Sequence, residues 1–273
     1  MILLTIGIPT YNRASKLKNL LTVVNSQISK ISNPKIELII SNNNSKDRTK
    51  EIIEKFKFSD KVLIKRLNQK KNIGPDANVD ALFKSSSGLY TWILADDDEL
   101  MDGAIKEIYD VTGSYDNYKF IFINYLISNG NKNINSSYTS HDNKEEESIN
   151  LLEIIDYANS FLSSCVFKTS EWNKTEIEPY KNTFWMHLFI SREILNEGKS
   201  YIIGKPLLIQ NLRDDYPEVY YGDELPWNFN VYYNRNRFFL GLKNYKKSSS
   251  HNFKSSYYLA YNDIREILHY KLT

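Results

Sequence analysis

Short apolar runs alternate with amphipathic stretches through the first hundred residues, and this alternation restricts the folds open to the chain. Apolar runs at 3–8, 36–40, 62–67 and 90–94 predict four strands. Between these runs, apolar residues recur at the spacing of one helix face. Strand and helix in this order predict right-handed crossovers, and hence an α/β fold with a mostly parallel, Rossmann-like sheet flanked by helices.

A polar series follows each predicted strand, at residues 10–13, 42–47, 72–78 and 96–98. The carboxyl ends of parallel strands meet at one edge of a sheet, where open α/β folds bind their ligands. We therefore expect the four series to converge there and to form a crevice large enough for a nucleotide.

Beyond residue 115 the pattern is less regular. It predicts a strand at 120–125, an amphipathic helix at 180–195 and a strand at 201–210. The polar segment 128–147 predicts a flexible loop or an insertion.

The predicted domain organisation is one domain over residues 1–225, followed by a C-terminal helical extension over 226–273. Within the domain, residues 1–115 carry the predicted crevice, and residues 116–225 form the second half.

Charge and cysteine content bound the partners and the compartment. A net charge of +2 gives no reason to expect a nucleic-acid partner. The one cysteine, Cys165, allows no internal disulfide, and this favours a reducing compartment. We expect the side chain of Cys165 to be buried. No apolar run approaches the roughly 20 residues of a membrane span, and the N-terminus is typical of a strand and not of a signal peptide.

The C-terminal region is basic and aromatic. Between Tyr232 and Thr273, eight Lys or Arg residues and ten aromatic residues stand against two acidic residues. This composition suits either an anionic membrane interface or a solvated helical cap. We expect a cytoplasmic protein, with peripheral contact to the inner face of the plasma membrane through this region.

Three consecutive carboxylates, Asp96, Asp97 and Asp98, follow the fourth predicted strand. Like charges so close together raise one another's pKa unless a cation or a donor offsets them. Mg²⁺ or Mn²⁺ binds one or two carboxylates and completes its shell with phosphate oxygens and water. The alternative is an acidic loop that caps the helix after Asp102.

Four motifs resemble family 2 glycosyltransferases in order and spacing over roughly residues 3–110. They are P-T-Y-N-R at 9–13, S-N-N-N-S-K-D at 41–47, N-I-G at 72–74 with Asn78, and G-L-Y-T-W-I-L-A-D-D-D at 88–98. The resemblance implies a GT-A-type fold, a nucleoside-diphosphate sugar donor, a divalent metal and inversion at the anomeric carbon. It also implies that residues 1–115 form the nucleotide-sugar half and residues 116–225 the acceptor half. Within the family, the sequence is similar to abequosyltransferase-like enzymes of bacterial surface polysaccharide assembly.

The resemblance carries the family's nucleotide pocket onto Pro9, Thr10, Tyr11 and Arg13. Tyr11 can stack on a base, and Arg13 can reach a phosphate. The base-reading position, usually Asp in the family, is Asn42, which can both donate and accept hydrogen bonds, so a UDP-sugar is favoured but the base stays open.

Further donor contacts fall on Asn72, Gly74 and Asn78, under the ribose and diphosphate. Gly74 would permit close backbone approach, although a plain turn before Pro75 explains it equally well. Asp47 is expected to cap the following helix.

Two alignments of the acidic motif are possible. An Asp-x-Asp reading makes Asp96 and Asp98 the pair that contacts ribose and metal, while alignment of the flanking leucines makes Asp97 the metal ligand. We favour Asp96 and Asp98 for Mn²⁺ or Mg²⁺.

Inverting transfer needs a general base, and the family's acidic residue has no counterpart in residues 182–189. His187 is the predicted substitute, with a core or capping histidine as the alternative. Trp185 is predicted to stack on the acceptor sugar, with a core tryptophan as the alternative. Asp214 and Asp215 form a second candidate base, a diphosphate-facing loop or an ordinary surface turn.

The sequence thus predicts a glycosyltransferase acting on a saccharide or lipid-linked saccharide acceptor. The missing carboxylate and Asn42 leave open a non-catalytic nucleotide-sugar or glycan-binding protein of the same fold. A nucleotidyltransferase is disfavoured because residues 9–14 contain no glycine for a phosphate loop.

Overall fold

A computed structural model describes residues 1–114, 117–128, 134–135, 142–155 and 158–211. The predictions for Asp214, Asp215 and the C-terminal extension lie outside these residues, so the predicted boundary at 225 stays a prediction. The described residues form one compact unit, except Thr183–Trp185, which belong to a second unit.

The described chain follows the predicted order of strands and helices. The strands are β1 (Ile2–Thr10), β2 (Ile36–Asn42), β3 (Leu63–Asn68), β4 (Gly88–Ile93), β5 (Glu99–Leu100), β6 (Phe120–Ser128), β7 (Ile134–Asn135), β8 (Lys144–Glu147), β9 (Cys165–Lys168) and β10 (Lys199–Asn211). The helices are α1 (Ala14–Ser29), α2 (Thr49–Lys55), α3 (Pro75–Ser85), α4 (Ala104–Thr112), α5 (Ser148–Ile155), α6 (Thr169–Lys174) and α7 (Met186–Ile194).

One sheet carries these strands in the order β3-β2-β1-β4-β9-β6-β10-β5, with β7 on β6 and β8 on β10. The first four strands of this order are mutually parallel, as predicted. Strand β9 is antiparallel to both β4 and β6, and β10 is parallel to β6. The carboxyl ends of β1, β2 and β4 therefore share one edge, where the polar series lie.

Helices cover the sheet with the faces that the sequence predicts. Helix α1 buries Leu17, Leu20 and Val24, and α3 buries Leu82 and Phe83. Cys165 is fully buried, as expected, and burial raises the pKa of its thiol to about 12. Burial of these apolar side chains is the main force that holds helices to the sheet.

A buried carboxylate joins the strands near their amino ends. Glu37 of β2 is inaccessible to solvent and accepts hydrogen bonds from Thr5 Oγ1 at 2.8 Å and Ser87 N at 2.9 Å. The Lys65 ammonium lies 2.7 Å from Glu37 Oε1. Burial alone would raise the pKa of Glu37, but Lys65 and the hydrogen bonds outweigh it and lower the pKa.

Two predictions about the second half need correction. The helix predicted at 180–195 begins only at Met186, because Asn182 and Phe184 adopt positive φ angles of 60° and 62°, which no helix tolerates. The segment predicted as a loop at 128–147 includes β8, which pairs with β10. Among the described helices, none is both long and apolar enough to cross a membrane.

Candidate active site

The acidic turn, residues 96–98, follows β4. It meets the end of β1 and the loop after it, residues 10–13, through three side-chain contacts. Thr10 Oγ1 donates to Asp96 Oδ2 at 2.6 Å. Arg13 Nη1 lies 3.3 Å from Asp96 Oδ1 and 2.5 Å from Asp97 Oδ2. The predicted proximity of these motifs is confirmed, and the Arg13 guanidinium, expected to reach a phosphate, contacts the aspartates themselves.

Asp98 has different surroundings from the other two aspartates. Its Oδ2 accepts a 2.5 Å hydrogen bond from the hydroxyl of Ser163. Burial raises the pKa of Asp98 to about 7, with a further contribution from the negative charge of Asp96 and an opposing one from the Ser163 hydrogen bond. A cation at this position would favour the ionised carboxylate.

The aspartates do not cap the following helix. Helix α4 starts after Gly103, its N-cap, which makes no side-chain capping hydrogen bond. Asp102 instead pairs with Lys30, and both side chains are exposed. These contacts give the capping alternative no support.

The loop after β2 is bound to the start of α1. Asp47 accepts hydrogen bonds from Thr49 N at 2.9 Å and Ala14 N at 3.1 Å, so it caps the start of α2, as expected, and also the start of α1. Burial opposes its charge, but hydrogen bonds from Thr49 and Ala14 dominate and lower its pKa. The Asn12 amide also donates to Ser45 Oγ at 2.9 Å.

Asn42, the predicted base-reading residue, is buried at the carboxyl end of β2. Its Nδ2 donates to Asn68 Oδ1 at 3.1 Å, and its Oδ1 accepts from Ser45 N at 3.0 Å. Both polar groups thus have partners within the protein, and a base would have to share or replace them.

The next residue, Asn43, fixes the loop before α3. Its Nδ2 donates to Asn72 Oδ1 at 2.8 Å, and its Oδ1 accepts from Ile73 N at 2.9 Å. Gly74 has φ 83° and ψ 162°, a region that only glycine readily adopts. Sequence reasoning missed Asn43, although its place in the S-N-N-N series was a signal.

The remaining predicted donor residues occupy the same edge. Asn78 is buried and bonds the hydroxyl and carbonyl of Ser41, at 2.6 and 3.0 Å, so its side chain joins α3 to β2. Pro9 is the penultimate residue of β1, and Tyr11 follows the strand half-buried. Their contacts with a nucleotide stay predictions.

His187 lies in the first turn of α7 with its ring buried. Its Nε2 is 3.3 Å from the carbonyl oxygen of Ser160. Burial lowers the pKa of His187 to about 4, although the carbonyls of Ser160 and Asn159 favour the protonated ring. Trp185 belongs to the second unit, and its acceptor role stays a prediction.

The acidic turn fits a divalent cation held by few protein ligands. In the described part of the chain, no group of three or more His, Cys, Asp or Glu side chains could hold a metal. One or two carboxylates with phosphate oxygens and water are, however, the usual shell of Mg²⁺. Burial and the negative charge of Asp96 disfavour the ionised form of Asp98. A bound cation would offset both effects, so Asp98 is a suitable ligand.

Curated relatives are bacterial sugar transferases. The chain is 27% identical over 215 residues to a GalNAc(5)-diNAcBac-PP-undecaprenol beta-1,3-glucosyltransferase of Campylobacter jejuni, covering 77% of this chain and 64% of that protein. It is 28% identical over 222 residues to the abequosyltransferase RfbV of Salmonella typhimurium, covering 76% and 66%. The chain thus spans just under two thirds of the length of these relatives.

Solved structures share the fold. Residues 1–349 of S. aureus TarS, in complex with UDP-GlcNAc, match at a TM-score of 0.66 and 17% identity, covering 88% of this chain and 66% of that one. A mannosyltransferase from Pyrobaculum calidifontis, in complex with GDP-Man and Mn²⁺, matches at a TM-score of 0.55 and 11% identity, covering 97% and 80%. The predicted GT-A fold is confirmed.

The family model of glycosyl transferase family 2 matches residues 5–167, which is more than half of the chain and runs from β1 through the acidic turn into β9. The chain belongs to glycosyl transferase family 2.

Proposed function

We propose that the chain is a metal-dependent, inverting glycosyltransferase that uses a nucleoside-diphosphate sugar. The acceptor is a saccharide or a lipid-linked saccharide of bacterial surface glycan synthesis. The observation that supports the proposal is the contact of Thr10 and Arg13 with the acidic turn, because the residues proposed to bind the nucleotide thus lie beside the proposed metal ligands. The names of the two curated relatives support the acceptor class.

The donor nucleotide is proposed to lie along the edge between the loop after β1 and the loop after β2. Tyr11 stacks on the base, and Asn42 reads its edge by exchanging its bond to Asn68. The backbone at Gly74 approaches the ribose and diphosphate. A UDP-sugar is favoured, since TarS, which shares the fold, binds UDP-GlcNAc.

Asp98 and Asp96 are the proposed ligands of Mn²⁺ or Mg²⁺. When bound, the cation would neutralise the charge that develops on the leaving diphosphate. Arg13 holds Asp96 and Asp97 in place and keeps part of the negative charge of the turn compensated. Thr10 fixes the second oxygen of Asp96.

His187 is the proposed general base, and Trp185 the proposed acceptor platform. The neutral imidazole is the form that a base requires, but a pKa of about 4 makes it a weak proton acceptor. If His187 is the base, His187→Ala should abolish turnover and leave UDP affinity within about twofold of wild type. Unchanged turnover would remove His187 as the base and leave Asp98, Asp214 and Asp215 as the remaining candidates.

The proposal is tested by thermal denaturation with a panel of nucleotide sugars, with and without Mn²⁺, followed by assays of transfer and donor hydrolysis. Asp98→Ala should abolish both activities and the Mn²⁺-dependent shift. Asp102→Ala is the matched control, since Asp102 is exposed and pairs with Lys30 outside the turn. If no nucleoside diphosphate shifts the melting temperature, the proposal is wrong.

A non-catalytic nucleotide-sugar or glycan-binding protein is the second candidate. The observation that favours it is the absence of a carboxylate from residues 182–189. Binding of a nucleotide sugar and Mn²⁺ with neither transfer nor hydrolysis would establish this alternative.

The location is proposed to be cytoplasmic, with peripheral membrane contact through residues 226–273. Sedimentation with vesicles of anionic and of neutral lipid tests this contact. Equal binding to both vesicle types, or none, would exclude an electrostatic membrane surface.

A further inference from the structure

Ser163 makes three hydrogen bonds that no sequence motif indicates. It lies in the 3-10 turn Leu162–Ser164, directly before β9, and is fully buried. Its hydroxyl accepts from Ala95 N at 2.9 Å and donates to Asp98 Oδ2 at 2.5 Å. Its carbonyl accepts from Trp92 Nε1 at 2.7 Å.

The direction of these bonds follows from chemistry. The Ala95 amide can only donate, so it occupies a lone pair of the Ser163 oxygen. The single hydroxyl proton then points to Asp98 Oδ2, which fixes the carboxylate by one oxygen. Among the side-chain hydrogen bonds of the described residues, Ser163 is the partner of Asp98 Oδ2, and none engages Asp98 Oδ1.

We propose that Ser163 is a positioning residue for Asp98, which orients the carboxylate so that Oδ1 is presented to the divalent cation of the donor diphosphate. The inference rests on the proposed function, in which Asp98 binds that cation. Residues that orient metal ligands in this way typically contribute about 10- to 100-fold to metal affinity.

The side-chain hydroxyl of Ser163 can be removed without breaking the hydrogen bond that anchors its backbone. The Trp92 indole anchors the backbone carbonyl of Ser163, and this bond does not involve the side chain. The adjacent Ser164 is equally buried, and its hydroxyl bonds the carbonyls of Phe161 at 2.7 Å and Ala158 at 3.2 Å. Ser164 thus stabilises the turn through hydrogen bonds that do not involve Asp98, which makes it a matched control.

The test measures Mn²⁺ affinity in the presence of UDP by electron paramagnetic resonance of free Mn²⁺, on the full chain. Ser163→Ala should weaken Mn²⁺ binding at least about tenfold. Ser164→Ala should stay within about twofold of wild type, and Ser163→Thr, which keeps the hydroxyl, should restore most of the affinity. The melting temperatures of Ser163→Ala and Ser164→Ala should agree within about 4 °C.

A double-mutant comparison separates positioning from general damage. Asp98→Ala should weaken UDP binding in the presence of Mn²⁺, because it removes a ligand of the cation. Adding Ser163→Ala to this variant should weaken UDP binding no further, because Ser163 acts through Asp98. If Ser163→Ala folds poorly, Ser163→Cys, which has a similar volume and only a weak donor, takes its place and should show the same loss.

The outcomes distinguish the two proposals. Wild-type protein that binds no Mn²⁺ with UDP overturns the proposed function and this inference together. Wild-type protein that binds Mn²⁺, while Ser163→Ala matches Ser164→Ala, overturns the positioning role alone.

Discussion

Arg13 forms a salt bridge with Asp97, with Nη1 2.5 Å from Oδ2, and the pair joins the start of α1 to the acidic turn. The same nitrogen lies 3.3 Å from Asp96. One guanidinium therefore offsets two carboxylates that are largely shielded from water. Its removal would leave less of the negative charge of the turn compensated.

Arg13→Gln should lower the free energy of unfolding by about 1–3 kcal/mol, since it removes the guanidinium that offsets two partly buried carboxylates. Mn²⁺ should raise the melting temperature of this variant more than that of wild type, because a cation can replace the lost charge. Urea denaturation and thermal melts with Mn²⁺ measure both effects. The control is Arg48→Gln, whose exposed pair with Glu51 should have no measurable effect. An equal Mn²⁺ response in both variants would contradict this explanation.

His187 should make stability depend on pH between 7 and 5. The folded protein holds the pKa of His187 at about 4, against 6.5 for an unperturbed histidine. As pH falls from 7 to 5, the unfolded chain gains a proton that the folded protein does not, so about 2 kcal/mol of stability is lost. His187→Gln should lack this loss in urea titrations at the two pH values. The same slope in wild type and variant would show that the ring is not held neutral.

Glu37→Gln should destabilise the sheet by about 1–3 kcal/mol while it preserves the side-chain size. Because the folded pKa of Glu37 is lowered, its charge contributes stability above the unfolded pKa near 4.5, and this stability is lost as pH falls through the folded value. Guanidinium denaturation at pH 7 and pH 4 should therefore show a smaller difference between variant and wild type at the lower pH. Glu51→Gln, on an exposed face of α2, is the control, and a similar loss there would argue against burial as the cause.

Gly74→Ala should cost about 2–3 kcal/mol, because φ 83° with ψ 162° is accessible almost only to glycine. The cost comes from the backbone, since an added Cβ would lie 3.8 Å from Asn182 Oδ1, at ordinary contact distance. Gly103→Ala, in the left-handed region at φ 78° and ψ 1°, should cost only about 1 kcal/mol. Chemical denaturation ranks the two, and equal losses would contradict the conformational explanation.

The first hundred residues predicted the fold well, because each strand and helix there has a local pattern. The apolar run of β1 and the helical spacing of Leu17 and Val24 are determined by burial on the sheet. The convergence of Thr10, Arg13 and Asp96 followed from parallel topology alone.

Residues that depend on long-range contacts could not be predicted in this way. Ser163 bonds Asp98 across 65 positions, through an antiparallel strand that no local pattern places beside β4. Likewise, α7 begins at Met186 because Phe184 adopts a positive φ, which its residue type does not predict.

The antiparallel pairing of β9 with β4 determines the position of Ser163. Trp92 pairs with Val166, so the chain enters β9 at the edge where β4 leaves the sheet. The pairing of β9 with β4, and not the length of the preceding chain, positions Ser163 beside the acidic turn. The length of the chain between β6 and β9 can therefore change without displacing Ser163, as long as β9 keeps its pairing with β4.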